Sequence, residues 1–280
     1  MPTQTLPIPH HDPAMATDVL IVGGGPVGLS FASALAQAGL RATVLELQSA
    51  EQLADPAPDG REIALTHPSV GLLQRLGSWQ RLAAHEIGLL RRAEVHDGPL
   101  GQRGTLQLHA GGTGVEHLGW IVPNHALRRT AFEIAATEPG VQIITQARVL
   151  NVRTLPTHAE VEFQDASAPD LPPQRLCAPL VVAADSRFSN TRRQLGMGAA
   201  ITDFGRTVIV CRMRHELPHD DTAHECFGYE RTLAILPLPS DWLDGQPQCS
   251  AVVTADAEQA RALLELSAEE FTAQVAAQFG

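Results

Sequence analysis

Four residues near the start of the chain have the types and the spacing that bind a dinucleotide. Gly23, Gly25 and Gly28 form a G-x-G-x-x-G sequence, and Glu46 follows 23 residues after the first glycine. In this motif the first glycine permits a tight turn, the second lets the backbone approach a pyrophosphate, and the third lets a helix and a strand pack closely. An acidic side chain at the position of Glu46 can accept hydrogen bonds from ribose hydroxyls. The pattern does not separate NAD from FAD, because the acid argues only against a 2′-phosphate.

The elements around these glycines follow the order that such a site requires. The branched apolar run 19–22 predicts a short buried parallel strand, and residues 42–47 predict a second strand. Between them, residues 29–38 predict a helix, with Pro26 and Val27 just before it. Unpaired amides and the helix dipole favour negative charge at a helix N-terminus, so the pyrophosphate is expected there. The alternative is a glycine-rich turn in another kind of α/β protein.

The composition is that of an ordinary globular protein with an acidic balance. The chain has 280 residues, of which 44% are apolar and 18% charged, and its formal net charge is −11. A chain this acidic is a poor candidate for general nucleic-acid binding. No apolar run approaches the ~20 residues of a membrane-spanning helix. We therefore predict no nucleic-acid partner and no spanning segment.

The first residues and the cysteines indicate where the protein works. Residues 1–14 contain four prolines and lack the apolar stretch of a secretory signal, so they predict a disordered N-terminal tail. The four cysteines show no C-x-x-C spacing, which favours reduced structural thiols in the cytoplasm over a metal or disulfide role. They are Cys177, Cys211, Cys226 and Cys249.

Several further patterns predict structure along the chain. The Pro-rich residues 48–60 predict a loop, and residues 91–120 predict an antiparallel hairpin around a Gly/Pro turn. Residues 141–149 predict a strand, and residues 180–184 predict a second buried apolar strand like that at 19–22. Residues 257–279 predict an amphipathic helical region that breaks near Ser267, where the sequence has a helix-start signal.

Taken together, separated pieces of the chain resemble the flavin-dependent aromatic hydroxylases of the para-hydroxybenzoate hydroxylase type, with the ubiquinone-biosynthesis hydroxylases as the nearest branch. The first piece is the opening strand–helix–strand unit. The second is D-G-R at 59–61 followed by I-A-L at 63–65, similar to the family's arginine segment beside the flavin. The third is the apolar strand and D-S-R-F-S-N-T-R at 180–192, and W-I-V-P-N-H-A-L at 120–127 resembles a segment that feeds a flavin-contacting side chain.

The resemblance implies a Rossmann-like, GR2-type FAD-binding domain interleaved with an antiparallel β-sheet substrate domain. Residues 15–90 and 121–200 would form the FAD-binding domain. Residues 91–120 and 201–280 would form the substrate-binding β lobe with the terminal helices.

The resemblance also implies roles for individual residues. The glycine motif, including Pro26 and Val27, would cradle the FAD pyrophosphate, and Glu46 would hold the adenosine ribose. Arg61 would neutralise a phosphate or contact the ribityl chain, and Asn124 would reach the cofactor from a helix start. Val149 would offer its backbone to the adenine, and Asp185 would bind near the junction of pyrophosphate and ribityl chain.

The activity that the resemblance implies is hydroxylation of a phenolic ring, for which a ubiquinone precursor is one candidate. The reaction would use FAD, O2 and NAD(P)H and pass through a flavin hydroperoxide, so the cofactor carries the chemistry and no catalytic residue is assigned. The expected location is cytoplasmic, with contact to the inner membrane face or to a ubiquinone-biosynthesis complex if the substrate carries a prenyl tail.

The sequence departs from the family at three places. Ser186 stands where the family has glycine, and residues 123–125 read Pro-Asn-His where the ubiquinone branch usually has Glu-Asn-Arg. The family continues into a third FAD motif, Gly-Asp-Ala, beyond Gly280, so a C-terminally incomplete chain is expected. Two alternatives therefore stay open: a catalytically incomplete FAD-fold protein or fragment that binds a nucleotide or lipid within a complex, and an NAD-dependent dehydrogenase.

One literal metal motif is set aside. His215 and His219 frame an H-E-x-x-H sequence, which binds zinc when both histidines project from one helix face. Pro218 lies inside that turn and disfavours a helix by ~3 kcal/mol, so a polar loop is expected. A site formed by His219, His224 and Cys226 is likewise disfavoured, and no metal site is assigned.

Overall fold

The computed structural model describes residues 17–101, 104–111, 114–228, 230–241 and 243–280. The predicted tail, 1–14, lies outside the described residues. The chain forms two compact units. The first consists of the described residues up to Pro56 together with Arg128–Ala199, and the second consists of Ala57–Leu127 and Ala200–Gly280.

The described residues contain sixteen strands and seven α-helices. The strands are β1 Val19–Val22, β2 Ala42–Leu45, β3 Glu62–Leu65, β4 Gly88–Leu90, β5 Arg92–Asp97, β6 Thr105–His109, β7 Gly119–Pro123, β8 Val141–Ile144, β9 Ala147–Thr154, β10 Ala159–Asp165, β11 Gln174–Ala178, β12 Leu180–Ala183, β13 Arg206–Arg214, β14 Thr222–Phe227, β15 Thr232–Leu238 and β16 Gln248–Asp256. The helices are α1 Pro26–Gln37, α2 Ala50–Ala54, α3 His67–Leu76, α4 Asn124–Ala135, α5 Asn190–Gln194, α6 Ala257–Leu264 and α7 Ala268–Phe279.

A parallel sheet organises the first unit. Its strand order is β12-β1-β2-β8, and β1 pairs in register with β2 on one side and β12 on the other. All four residues of β1 are buried, as expected for a central strand of branched residues. Helix α1 covers one face, where Leu29 and Ala32 pack against Ile21 and Val44. This arrangement confirms the predicted strand–helix–strand unit and carries the end of β1 into the glycine turn.

A second, antiparallel sheet completes the first unit. Its order is β11-β10-β9, with a register shift at Glu162/Phe163. Val161 and Phe163 point into a core shared with Leu20 and Leu45 of the parallel sheet. The strand β9 therefore runs past the carboxyl ends of the parallel strands, and Val149 lies on it.

The second unit is built mainly from β-strands. Six of them form the sheet β13-β16-β15-β14-β5-β6, in which only the β14–β5 pair is parallel. The β5–β6 pairing confirms the predicted hairpin. Helices α6 and α7 pack on this sheet through Leu263 and Val275 against Leu233 and Val253. A smaller antiparallel sheet has the order β3-β7-β4.

Three local predictions were wrong. Helix α2 lies inside the predicted loop 48–60, because Ser49 and Gln52 form a reciprocal capping box at its start. The strand predicted as buried at 180–184 is an edge strand of the parallel sheet, and Leu180 is exposed. The strand predicted over 141–149 is two strands, because Gln146 has a φ of 54° and interrupts the extended backbone.

The boundaries of the units differ from the predicted functional division. The break falls within α4, between Leu127 and Arg128, and β3, α3 and β7 belong to the second unit. The assignment of 15–90 and 121–200 to cofactor binding, and of 91–120 and 201–280 to substrate binding, stays a prediction. Among the described residues, no helix has the length and apolar character that crossing a membrane requires.

Candidate cofactor-binding site

Two glycines shape the turn between β1 and α1. Gly23 has a φ of +109°, which disfavours any side chain, and its amide donates to the carbonyl oxygen of Leu45 at 2.9 Å. A Cβ on Gly23 would lie 2.5 Å from the carbonyl oxygen of Ala184, and a Cβ on Gly28 would lie 2.1 Å from the carbonyl oxygen of Gly23. Both positions therefore require glycine so that the turn, α1 and the loop after β12 can pack together.

Gly25 is glycine for a different reason. Its φ of −73° and ψ of 176° suit any residue, and an added Cβ would meet no atom within 4 Å. Gly25 is the N-cap of α1 and provides no capping side chain, while Pro26 follows as the first helical residue. The first turn of this 12-residue helix thus presents amides, including that of Val27, and the positive end of the helix dipole. The arrangement suits a pyrophosphate in contact with the Gly25 backbone.

Glu46 follows β2 and closes the turn from the other side. Its Oε2 accepts from the Gly24 amide at 2.5 Å, and its Oε1 accepts from the Gln48 amide at 2.8 Å. Two backbone donors therefore fix the carboxylate, and its remaining lone pairs are available to ribose hydroxyls.

Asp185 lies directly after β12 and is held by the start of α5. Its Oδ2 accepts from the Thr191 amide and the Thr191 hydroxyl, both at 3.0 Å. Its Oδ1 is buried and has no hydrogen-bond partner among the described residues. Burial raises the pKa of the Asp185 carboxyl, but hydrogen bonds from Ser189 and Thr191 outweigh it, so the pKa lies below its ordinary value. Asp185 is therefore an ionised acceptor with one oxygen ready for a ligand hydroxyl.

These groups surround one cavity of about 410 Å³ within the first unit. Gly23, Gly25, Glu46, Val149 and Asp185, all predicted from the sequence, line it. Six further polar residues, to which no role was assigned from the sequence, also line the cavity: Gln48, Arg128, Arg148, Asn190, Thr191 and Gln194.

Two of these additional residues are joined to each other. The Arg128 guanidinium donates to the Gln48 side-chain oxygen at 2.6 Å, across 80 positions of sequence. In the sequence Arg128 is half of an isolated Arg-Arg pair, and only the packing of α4 beside the parallel sheet identifies it as a cavity residue. Asn190 and Thr191, by contrast, belong to the D-S-R-F-S-N-T-R sequence that follows β12. Their place in that motif could have identified them as cavity residues.

Ser186 adopts the backbone conformation that the family glycine would favour. Its φ is 76°, in the left-handed region. A non-glycine residue there costs roughly 1–2 kcal/mol relative to the right-handed region. Its carbonyl oxygen accepts from the Ser189 amide at 3.1 Å, and that contact stabilises the turn.

Arg61 and Asn124 belong to the second unit and meet at Asp59. The Arg61 guanidinium donates to Asp59 Oδ2 at 2.6 Å, and the Asn124 amide group donates to the same oxygen at 2.7 Å. Burial raises the pKa of Asp59, but the bonds from Arg61 and Asn124 outweigh it and leave the pKa below its ordinary value. The two predicted residues are therefore brought together, in a cluster centred on an acid to which no role was assigned. Their contact with a cofactor stays a prediction.

The residues of the first unit fit FAD. The open position at Gly25 accommodates phosphate, the Glu46 carboxylate accepts from a ribose, and the orphaned Asp185 Oδ1 needs a donor such as a ribityl or ribose hydroxyl. Together they can bind and orient a dinucleotide.

The H-E-x-x-H sequence at 215–219, which was set aside as a zinc site, lies in a loop. His215 follows β13, and its Nδ1 is 2.6 Å from the Leu217 carbonyl oxygen, while His219 Nε2 is 2.8 Å from the Leu238 carbonyl oxygen. No helix holds the two histidines on one face. Over the described ranges, the metal-compatible groups are instead Glu94–His96–His224 and His158–Glu160–Cys177. Sequence reasoning missed both, because each joins residues that only strand pairing brings together.

Comparison with known proteins agrees with this geometry. The chain is 41% identical over 268 residues to the ubiquinone hydroxylase UbiM of Neisseria meningitidis, covering 94% of this chain and 54% of the relative. It is 32% identical over 264 residues to the ubiquinone hydroxylase UbiL of Rhodospirillum rubrum, covering 94% of this chain and 57% of the relative. The chain thus spans little more than half the length of these relatives.

Solved structures show the same fold. The FAD-dependent monooxygenase pqsL of Pseudomonas aeruginosa superposes with a TM-score of 0.69 at 19% identity, covering 88% of this chain and 62% of that one. The p-nitrophenol 4-monooxygenase PnpA of Pseudomonas putida superposes with a TM-score of 0.68 at 18% identity. The match covers 94% of this chain and 62% of that one. These similarities confirm the predicted fold class, a GR2-type α/β fold with antiparallel sheets. The FAD binding domain family matches residues 16–280, and the chain therefore belongs to the family of FAD binding domains.

Proposed function

We propose that this chain serves an FAD-dependent monooxygenase that hydroxylates a phenolic ring with O2 and NAD(P)H. The observation that carries the proposal is the cavity in which the Gly25 turn, Glu46 and the orphaned Asp185 Oδ1 face one another. The names of the relatives, both ubiquinone hydroxylases, support hydroxylation as the reaction.

The overall reaction balances without a protein nucleophile. One oxygen atom of O2 enters the ring and the other leaves as water, while NAD(P)H supplies two electrons as one hydride and solvent supplies the remaining proton. Bound FAD supplies the activation of O2. The chain's own residues bind and orient: the α1 N-terminus offsets pyrophosphate charge, Glu46 fixes the adenosine end, and Asp185 accepts from a hydroxyl near the ribityl end.

For the substrate we propose a phenol of the ubiquinone-precursor kind, in line with the relatives' names. A prenyl tail on such a substrate would bring the protein to a membrane surface or into a complex. In the first unit, Phe188 and Met197 are large apolar side chains that are more than half exposed, at 67% and 59%. They are candidates for that contact. A cytoplasmic location, with contact to the inner membrane face if the substrate carries a prenyl tail, stays the prediction.

The test is a coupled assay with the flavin-loaded protein. NAD(P)H oxidation is followed with para-hydroxybenzoate and with a series of 2-prenylphenols, and products are identified by mass spectrometry under ¹⁸O2. The proposal predicts a product that contains one labelled oxygen atom. NAD(P)H oxidation that yields only hydrogen peroxide with every phenol would contradict it, and so would a labelled product that Asp185→Asn leaves unchanged in amount at limiting FAD.

A further inference from the structure

A cluster of two histidines and a glutamate lies on the six-stranded sheet of the second unit, whereas the residues of the candidate cofactor cavity belong to the first unit. Glu94 and His96 are two positions apart on β5, so their side chains share one face of the sheet. Strand β14 pairs in parallel with β5 and sets His224 opposite Glu94. Strand pairing thus unites residues that lie 128 positions apart in the sequence.

The three donor atoms have the spacing of ligands around one metal ion. His96 Nε2 is 3.2 Å from His224 Nδ1, and Glu94 Oε2 is 3.6 Å from His96 Nε2 and 3.7 Å from His224 Nδ1. An atom that lies in the plane of these three donors and is equidistant from them would be about 2.0 Å from each, which is the length of Zn–N and Zn–O bonds. No donor would have to approach or retreat by more than a few tenths of an ångström.

The surroundings suit metal ligation. His96 is buried, and its Nδ1 lies 3.1 Å from the Thr105 hydroxyl on the neighbouring strand β6. A hydrogen bond from Nδ1–H to that hydroxyl leaves the lone pair on Nε2, as in many histidine ligands. The ring of Phe279 packs edge-on against the His224 ring, with 5.3 Å between the ring centroids.

We propose that Glu94, His96 and His224 bind a divalent transition-metal ion, with Zn²⁺ as the ion that their chemistry fits best. Two imidazoles and one carboxylate are a recurrent set of zinc ligands, and a water molecule would complete the tetrahedron. The imidazole rings turn about χ2, which is a soft torsion, to aim both nitrogens at the ion. The ion links β5 to β14 and so stabilises the only parallel pair of this sheet, because it binds the folded state alone.

The experiment is a titration of Zn²⁺ into the chelator-treated full chain, followed by calorimetry. We expect one ion per chain and no binding of Mg²⁺ or Ca²⁺, which prefer oxygen ligands. His224→Gln and Glu94→Gln are each expected to weaken binding at least 100-fold. His158→Ala removes the histidine of the other metal-compatible group and is the matched control, expected to bind as the parent chain does. A second control replaces His10 and His11 with alanine.

Two further readouts keep the test independent of misfolding. Thr105 is exposed, so Thr105→Val preserves the fold, yet loss of the contact that orients His96 should weaken Zn²⁺ binding ~10–100-fold at unchanged stoichiometry. Co²⁺ in the same site should give the visible bands of tetrahedral coordination. Absence of Zn²⁺ binding, or binding that His224→Gln and Thr105→Val leave unchanged, would overturn the proposal and assign the cluster to a direct hydrogen bond between the two imidazoles.

Discussion

The two glycines of the phosphate turn should respond differently to a single added methyl group. Gly25→Ala places the methyl in open space, since no atom lies within 4 Å of the added Cβ. Gly28→Ala places it 2.1 Å from the Gly23 carbonyl oxygen. We expect the first change to affect FAD binding while the fold persists, and the second to affect the fold itself.

The magnitudes follow from these distances. At Gly28 the added methyl and the Gly23 carbonyl oxygen must move apart by roughly 0.9 Å to reach 3.0 Å, the shortest ordinary contact of a Cβ. Overpacking of this kind destabilises the fold by about 1–3 kcal/mol or more. At Gly25 alanine is a poorer N-cap residue than glycine, which lowers the free energy of unfolding by ~1 kcal/mol. Alanine also restricts the unfolded chain, which raises the free energy of unfolding by ~0.4–1 kcal/mol and offsets most of that loss. The same methyl against a pyrophosphate costs about 1–3 kcal/mol, which is a roughly 5- to 150-fold loss of FAD affinity.

The assay compares both variants with the parent chain in two measurements. Urea denaturation of the cofactor-free protein gives the free energy of unfolding, and quenching of FAD fluorescence gives the dissociation constant. Gly25→Ala should unfold within ~1 kcal/mol of the parent and bind FAD weakly. If a folded Gly25→Ala variant bound FAD as tightly as the parent chain, the pyrophosphate would not lie against the Gly25 backbone.

Three further changes test neighbouring parts of the structure. Glu46→Gln replaces an acceptor by an amide group and leaves one backbone donor, such as that of Gly24, without its partner; FAD affinity measured by fluorescence should fall by ~1–3 kcal/mol. Ser186→Gly relieves a positive φ of 76° and should raise the calorimetric Tm by ~1–3 °C. Burial raises the pKa of Glu62, whose side chain is 1% exposed beside Arg212. Its protonated form therefore stabilises the fold at low pH, and this contribution is lost as the pH rises from 4.5 through the raised pKa. The unfolding free energy of Glu62→Gln minus that of the parent should accordingly increase between pH 4 and pH 7 in urea titrations.

Each of these three predictions can be contradicted by a specific result. If Glu46→Gln bound FAD as tightly as the parent chain, the Glu46 carboxylate would not be part of the FAD site. A lower Tm in Ser186→Gly would mean that the serine side chain stabilises the turn. A difference for Glu62→Gln that does not change with pH would place the carboxyl in a solvated setting, and Arg212→Gln should then also leave the pH dependence unchanged.

The sequence predicted the strand–helix–strand unit well because its determinants are local. The branched run of β1, the glycine spacing and the acid after β2 each follow from neighbouring residues. Gly23 and Gly28 carry the close contacts that the motif implies. The left-handed φ at Ser186 also agrees with the glycine of the family pattern.

The features that the sequence did not predict depend on long-range pairing or on a single capping interaction. Helix α2 begins in a Pro-rich segment because of Ser49, and β12 is an edge strand because the sheet ends there. The contact of Arg128 with Gln48 spans 80 positions. The approach of His224 to Glu94 spans 130 positions and requires the parallel pairing of β5 and β14. Periodicity and spacing carry no information on such contacts.

The most direct test of the central claim, that residues of the first unit hold FAD, is a reconstitution experiment. The cofactor-free chain is incubated with FAD, passed through gel filtration and examined by visible absorption, with Gly25→Ala in parallel. We expect the parent chain to retain one FAD, with flavin absorption near ~450 nm, and Gly25→Ala to elute with little FAD. A parent chain that elutes folded and colourless, with no quenching of FAD fluorescence, would contradict it.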